Sequence, residues 1–240
     1  MTKGKDITTP GRDLPSEKNR SSRGEIDAFL QQAKSLEPVS DAARGRLVFA
    51  LDATMSRQPT WDLACGLQAE MFKAASDVGG LTVQLVYFRG FGECRASRWV
   101  ADPAALRDLM VQIGCRGGKT QIKKVLAHTR REAEKRPIAA LVYVGDAMEE
   151  EVDELSNIAG ELGLLGVRAF MFHEGRDPRA EAAFREIARL TRGAYLPFNS
   201  ASAAELKDLL GAVATYAAGG LKALEASGSS AARRLLPSLK

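Results

Sequence analysis

From Arg46 onward the chain alternates between short apolar runs and longer stretches with helical apolar spacing. RLVFALDAT, LTVQLVYFRG, IAALVYVGD, VRAFMFHEG and AYLPFN read as strands, and runs this apolar suit strands covered on both faces. Between them, WDLACGLQAEMFKAASD, DPAALRDLMVQI, TQIKKVLAHTRREAEK, EVDELSNIAGELGL, PRAEAAFREIARLTRG and SAAELKDLLGAVATYAAG read as amphipathic helices. ECRASRWVA alternates in the manner of a half-buried strand and follows the turn GFGE, so it pairs with LTVQLVYFRG as a hairpin. Strands separated by amphipathic helices demand an α/β fold. The expected form is a three-layer, doubly wound, mostly parallel six-stranded sheet with one antiparallel edge strand.

The charge divides along the chain. Its net +4 comes from the ends: residues 1–24 carry six Lys/Arg against three Asp/Glu, and residues 222–240 carry four against one. The stretch between is therefore net acidic. No aromatic residue interleaves with the terminal basic groups, so stacking recognition of nucleic acid is not expected. The expected organisation is a disordered basic tail over 1–24, a helix and linker over 25–45, one domain over 46–217, and a flexible basic tail over 218–240. No apolar run approaches the roughly 18 residues of a membrane span, and the polar start lacks the apolar centre of a secretory signal. A cytoplasmic location is the expectation, and the oligomeric state is not legible.

Cysteine and histidine offer little chemistry. Cys65, Cys94 and Cys115 form no CxxC or CxxH pattern, which indicates neither a disulfide framework nor a zinc site. Cys65 reads as core packing, while Cys115, beside glycines, could be reactive. His128 and His173 are far apart and read as structural. Trp61, Trp99, Phe72 and Phe91 read as packing.

In doubly wound sheets the working loops lie at the carboxyl ends of the strands. The first strand runs into Asp52-Ala53-Thr54-Met55-Ser56, and the IAALVYVGD strand ends at Asp146. Between two helices stands GCRGGKT, which invites comparison with a phosphate-binding loop. The required first glycine falls at Ile113, and no strand precedes the segment, so that reading fails. Thr120 instead adds a hydroxyl to the strand-end set. Two carboxylates and three hydroxyls make an all-oxygen group suited to Mg²⁺ or Mn²⁺. Singly, Asp52 or Asp146 could cap a turn or helix, and the hydroxyls could bond to backbone. Together the five point to a metal. Met55, Arg57 and Lys119 stand where they could rim it. Glu149-Glu150-Glu151 read as first-turn acids of the next helix.

The pattern D-x-T-x-S, then G-G-x-T, then a strand-terminal Asp resembles the metal-ion-dependent adhesion site of von Willebrand factor type A domains. The likeness spans roughly residues 46–217. Thr54 departs from the commoner Ser, and Gly145-Asp146-Ala147 stands where the family often has Thr-Asp-Gly. The resemblance implies that Asp52, Thr54, Ser56, Thr120 and Asp146 hold Mg²⁺ or Mn²⁺, some through water. It also implies a non-enzymatic module that grips a protein partner presenting Asp or Glu. Two alternatives stay open: a Mg²⁺-dependent phosphohydrolase with Asp52 as nucleophile, which would want an acid where Thr54 stands, and a scaffold that needs no metal.

Overall fold

The apolar runs form the strands β1 (Gly45–Asp52), β2 (Leu81–Arg89), β3 (Glu93–Val100), β4 (Ala140–Gly145), β5 (Arg168–Glu174) and β6 (Ala194–Phe198). The computed structural model describes residues 44–198 and 203–240. The expected tail over 1–24 and nearly all of the helix and linker over 25–45 lie outside the described residues. The helices are α1 (Gln58–Ser76), α2 (Pro103–Val111), α3 (Ile122–Lys135), α4 (Val152–Leu164), α5 (Pro178–Leu190), α6 (Ala203–Ser227) and α7 (Ser230–Leu239).

The six strands make one sheet in the order β3-β2-β1-β4-β5-β6. Only the β2–β3 pair is antiparallel, as the hairpin pattern requires. Side chains of β1 alternate between two cores. Leu47, Phe49 and Leu51 face a layer built from α1, α2, α6 and α7, whereas Val48 and Ala50 face α3, α4 and α5. All five are at most 1% exposed, and full burial of a Leu, Val or Phe side chain is worth about 1.5–3 kcal/mol. This double covering is why β1 shows no polar alternation.

The chain winds outward from β1 in both directions, through β2 on one side and β4 on the other. The crevice between the carboxyl ends of β1 and β4 is the topological switch point, where such sheets leave room for a ligand.

Residues 218–240 correct the expected domain boundary of 46–217, because they do not form a flexible tail. Gly220, with φ of 70°, breaks the helical path of α6, and α7 folds back against α6 and the β6 side of the sheet. Ser229 caps α7 by accepting the Ala232 N–H at 3.0 Å. Ala231, Ala232, Leu235 and Leu239 are buried, while Arg233, Arg234 and Lys240 face outward. The basic residues that suggested disorder are the solvent face of an amphipathic helix. Among the described residues no helix is long and apolar enough to cross a membrane.

Candidate metal centre

Asp52 is the last residue of β1 and is only 2% exposed. Its Oδ1 accepts the Thr54 N–H at 2.8 Å, which turns the chain sharply after the strand. Ala53 continues the β1–β2 pairing by donating its N–H to Phe88 O at 2.9 Å. A short 3-10 turn over Met55–Arg57 follows and leads into α1. The turn presents Thr54 and Ser56 on the side facing β4, where Ser56 Oγ donates to Asp146 Oδ2 at 3.1 Å.

The second wall comes from the loop between α2 and α3. Arg116 N–H donates to Ala53 O at 2.9 Å and Lys119 N–H to Gly90 O at 3.1 Å, so backbone bonds fasten the loop to the ends of both β1 and β2. Gly118 makes this possible. A Cβ there would lie 2.3 Å from Gly90 N and O and 2.5 Å from Gly90 Cα. The absence of a side chain at Gly118 is thus required by the β2–β3 hairpin. Thr120 N–H and Oγ1–H both donate to Glu149 Oε2, at 2.9 and 3.0 Å. The N–H groups of Arg116, Lys119 and Thr120 are thus committed to protein oxygens, which is not the arrangement of a phosphate cradle.

Asp52, Thr54, Ser56, Thr120 and Asp146 all line one open cavity of about 270 Å³. Met55, Gly117, Gly118, Ala147 and Glu149 complete its walls. Five residues from three separate segments therefore meet at the switch point. Lys119 borders the cavity through the neighbouring Gly118 and Thr120. Met55 is 62% exposed on the rim. Phe91, expected to pack, is 72% exposed at the hairpin tip, because the tight Gly90-Phe91-Gly92 turn leaves its ring no layer to enter.

The hydroxyl protons suit a cation. Ser56 has one proton, which Asp146 can accept, and this makes Thr54 the fitting donor in the 3.3 Å contact between Thr54 Oγ1 and Ser56 Oγ. Thr120 gives its proton to Glu149. Each of the three hydroxyls has a neighbouring protein oxygen placed to take its proton and keeps lone-pair capacity. With Asp52 and Asp146 beside them, the donor set is hard oxygen throughout and fits Mg²⁺ or Mn²⁺ better than a soft metal. Among the described residues no group of three His, Cys, Asp or Glu side chains converges in a way that could hold a metal ion, so hydroxyls would have to share in any coordination here.

Gly145, where the resemblance expects Thr, also has a local reason. A Cβ at this position would lie 2.8 Å from the Tyr143 ring. The glutamates likewise differ from expectation. They precede α4, whose first-turn acids are Asp153 and Glu154. Glu149 reaches Thr120, and Glu150 caps α3 from outside by accepting the N–H groups of Ile122 at 2.5 Å and Lys123 at 3.0 Å. Three acids before the first periodic apolar residue, Val152, were the available signal, since one helical turn has no use for all of them as caps.

Cys115 packs in the α1/α2 core rather than standing exposed. Burial pushes the thiols of Cys65 and Cys94 up to about 11, so both are protonated at neutral pH. His173 is buried with its Nδ1 2.8 Å from the Tyr195 hydroxyl, and burial holds its imidazole below the usual value.

No protein-family model and no curated protein matches the chain. Solved structures do match. The chain is similar to the SpRpn10 VWA domain, with a TM-score of 0.52 and 12% identity over 65% of this chain and 89% of that one. It is similar to the vWF domain of the type V pili tip protein Mfa5 from Porphyromonas gingivalis, with a TM-score of 0.55 and 10% identity over 72% and 96%. It is also similar to proximal thread matrix protein 1 from the mussel byssus, with a TM-score of 0.56 and 18% identity over 73% of this chain and 48% of that one. Identities this low speak for the fold alone. With its strand order, its antiparallel edge and helices on both faces, the chain has the fold of a von Willebrand factor type A domain.

Proposed function

We propose that this chain is a protein-interaction module that binds a partner's Asp or Glu through Mg²⁺ or Mn²⁺ held at the β1/β4 switch point. The observation that carries the reading is the disposition of the three hydroxyls. Thr54, Ser56 and Thr120 line one cavity, and each has another protein oxygen beside it to take its proton. A pocket built to receive an anion directly would turn those protons inward. Asp52 and Asp146 supply the negative charge, and their neighbours hold them in place: the Thr54 N–H on Asp52 and the Ser56 hydroxyl on Asp146. A bound divalent ion would offer an incoming carboxylate a hard, positively charged position at the cavity mouth. Met55, which lines the cavity and is 62% exposed, places apolar surface at that mouth, which suits contact with a macromolecule.

Calorimetric titration with Mg²⁺ and Mn²⁺ tests the metal step. The wild type should bind one ion, and Asp52→Ala should abolish binding while the circular dichroism spectrum stays folded. Absence of binding to the wild type at millimolar ion refutes the reading. The partner step is tested by capture from lysate in Mg²⁺. Captured protein should be released by chelator, and Thr120→Ala should weaken capture more than Lys119→Ala. Capture that survives both chelation and Asp52→Ala would place the partner elsewhere.

A further inference from the structure

The Thr120 hydroxyl can serve a cation only while its proton points away from the cavity, and a free hydroxyl rotates. Glu149 Oε2 accepts this proton at 3.0 Å and, with the same oxygen, the Thr120 N–H at 2.9 Å. The Glu149 N–H returns a bond to Thr120 Oγ1 at 3.3 Å. A hydroxyl oxygen carries two lone pairs, so one remains for a further ligand. On the opposite wall Asp146 holds the Ser56 hydroxyl in the same sense.

We propose that Glu149 is a positioning residue of this site, whose carboxylate clamps Thr120 with its hydroxyl lone pair turned to the cation. The proposal rests on the cation reading above and deepens it. Carboxylates that accept from a ligand's own proton orient the ligand and increase its basicity, and this outer contact tunes affinity. Glu149 is exposed rather than buried in either core, so its removal leaves the packing intact. Neither of the next two acids repeats the contact. Glu150 caps α3, and Glu151 stands at the N-cap of α4 without a side-chain capping bond.

The test uses the full chain in four forms: wild type, Glu149→Ala, Glu149→Gln and Glu151→Ala. Calorimetric Mg²⁺ and Mn²⁺ titration should show Glu149→Ala weaker by about 10-fold or more, the usual scale for a lost outer contact. Glu149→Gln keeps an amide oxygen able to accept both Thr120 donors and should stay within a few-fold of wild type. Glu151→Ala removes the same charge nearby and should match wild type. Hydrogen exchange without metal provides a second readout. The Thr120 amide should exchange faster in Glu149→Ala and near the wild-type rate in the other two variants.

Equal or tighter ion binding by Glu149→Ala overturns the proposal. So does Glu149→Gln as weak as Glu149→Ala, because charge alone would then account for the loss. If the wild type binds neither ion, the cation reading falls, and unchanged Thr120 exchange in Glu149→Ala would independently show that no clamp exists.

Discussion

Two loops close the candidate metal centre, and they are held by opposite means. Residues 115–119 are fastened through backbone: Arg116 to Ala53, Lys119 to Gly90, and Gly118 lying against the Gly90 main chain. Residues 146–151 are fastened through side chains, with Asp146 on Ser56, Glu149 on Thr120 and Glu150 on the first N–H groups of α3. Backbone contacts leave little freedom at the position they fix, whereas carboxylate contacts can be exchanged or lost one at a time. The first loop sets the shape of the cavity. The second sets the orientation of the groups that line it.

The harshest way to break this contrast is Gly118→Ala. The new methyl would meet the Gly90 backbone at a distance no side-chain rotation relieves, so either the loop or the hairpin must move. A loss of about 3 kcal/mol in urea unfolding, at the upper end for overpacking, is expected together with loss of ion binding. A variant as stable as wild type would mean that the backbone-held loop yields as easily as the other.

Glu150→Ala should do less. It removes a cap supplied from a distant segment, and a lost cap costs about 1 kcal/mol. Its effect should appear as faster amide exchange at Ile122 and Lys123, with the shape of the cavity preserved. An effect as large as that of Gly118→Ala would erase the distinction between the loops.

The smallest effect is a control that belongs to neither loop. His128 Nε2 lies 2.9 Å from Gln84 Oε1, and burial lowers its pKa below the usual 6.5. The unfolded chain therefore takes up a proton as pH falls through about 6.5 while the folded chain resists it, so this stabilisation is present above that pH and declines below it. Unfolding free energy should fall from pH 7 to pH 5, and His128→Gln should flatten the slope. Gly118→Ala and Glu150→Ala should leave the slope alone.

Much of the fold was legible because β1, β2, β4 and β5 are covered on both faces and so are written in mostly apolar runs. The five cavity residues were legible for a related reason: strand-end oxygens stand out once the strand ends are known, and Asp52 and Asp146 each directly end such a run. Glu149 was not, since its partner Thr120 lies in a different segment and only the folded chain brings them together. Only the final helix, α7, and the end of α6 escape the sequence reading, because Gly219-Gly220 reads as an ending. The apolar stripe at Ala231, Ala232, Leu235 and Leu239 has helical spacing, yet it is short and carries basic residues on its outer face. The role of Gly118 is not legible either, as a contact with Gly90 leaves no local pattern.

The return of α7 has a practical reach. Arg168, at the beginning of β5, donates to Leu239 O at 2.6 Å, and Gly45, at the beginning of β1, lies so close to α6 that a Cβ would fall 2.0 Å from Ala217 O. Parallel strands begin at one pole of the molecule and finish at the other, so Leu239 and Gly45 share the pole opposite the cavity. A surface, bead or fusion partner coupled after Lys240 would therefore hold the protein by its base and leave the cavity rim at Met55 facing outward. Immobilisation through that end is the orientation in which a sensor chip would read the cavity unobstructed.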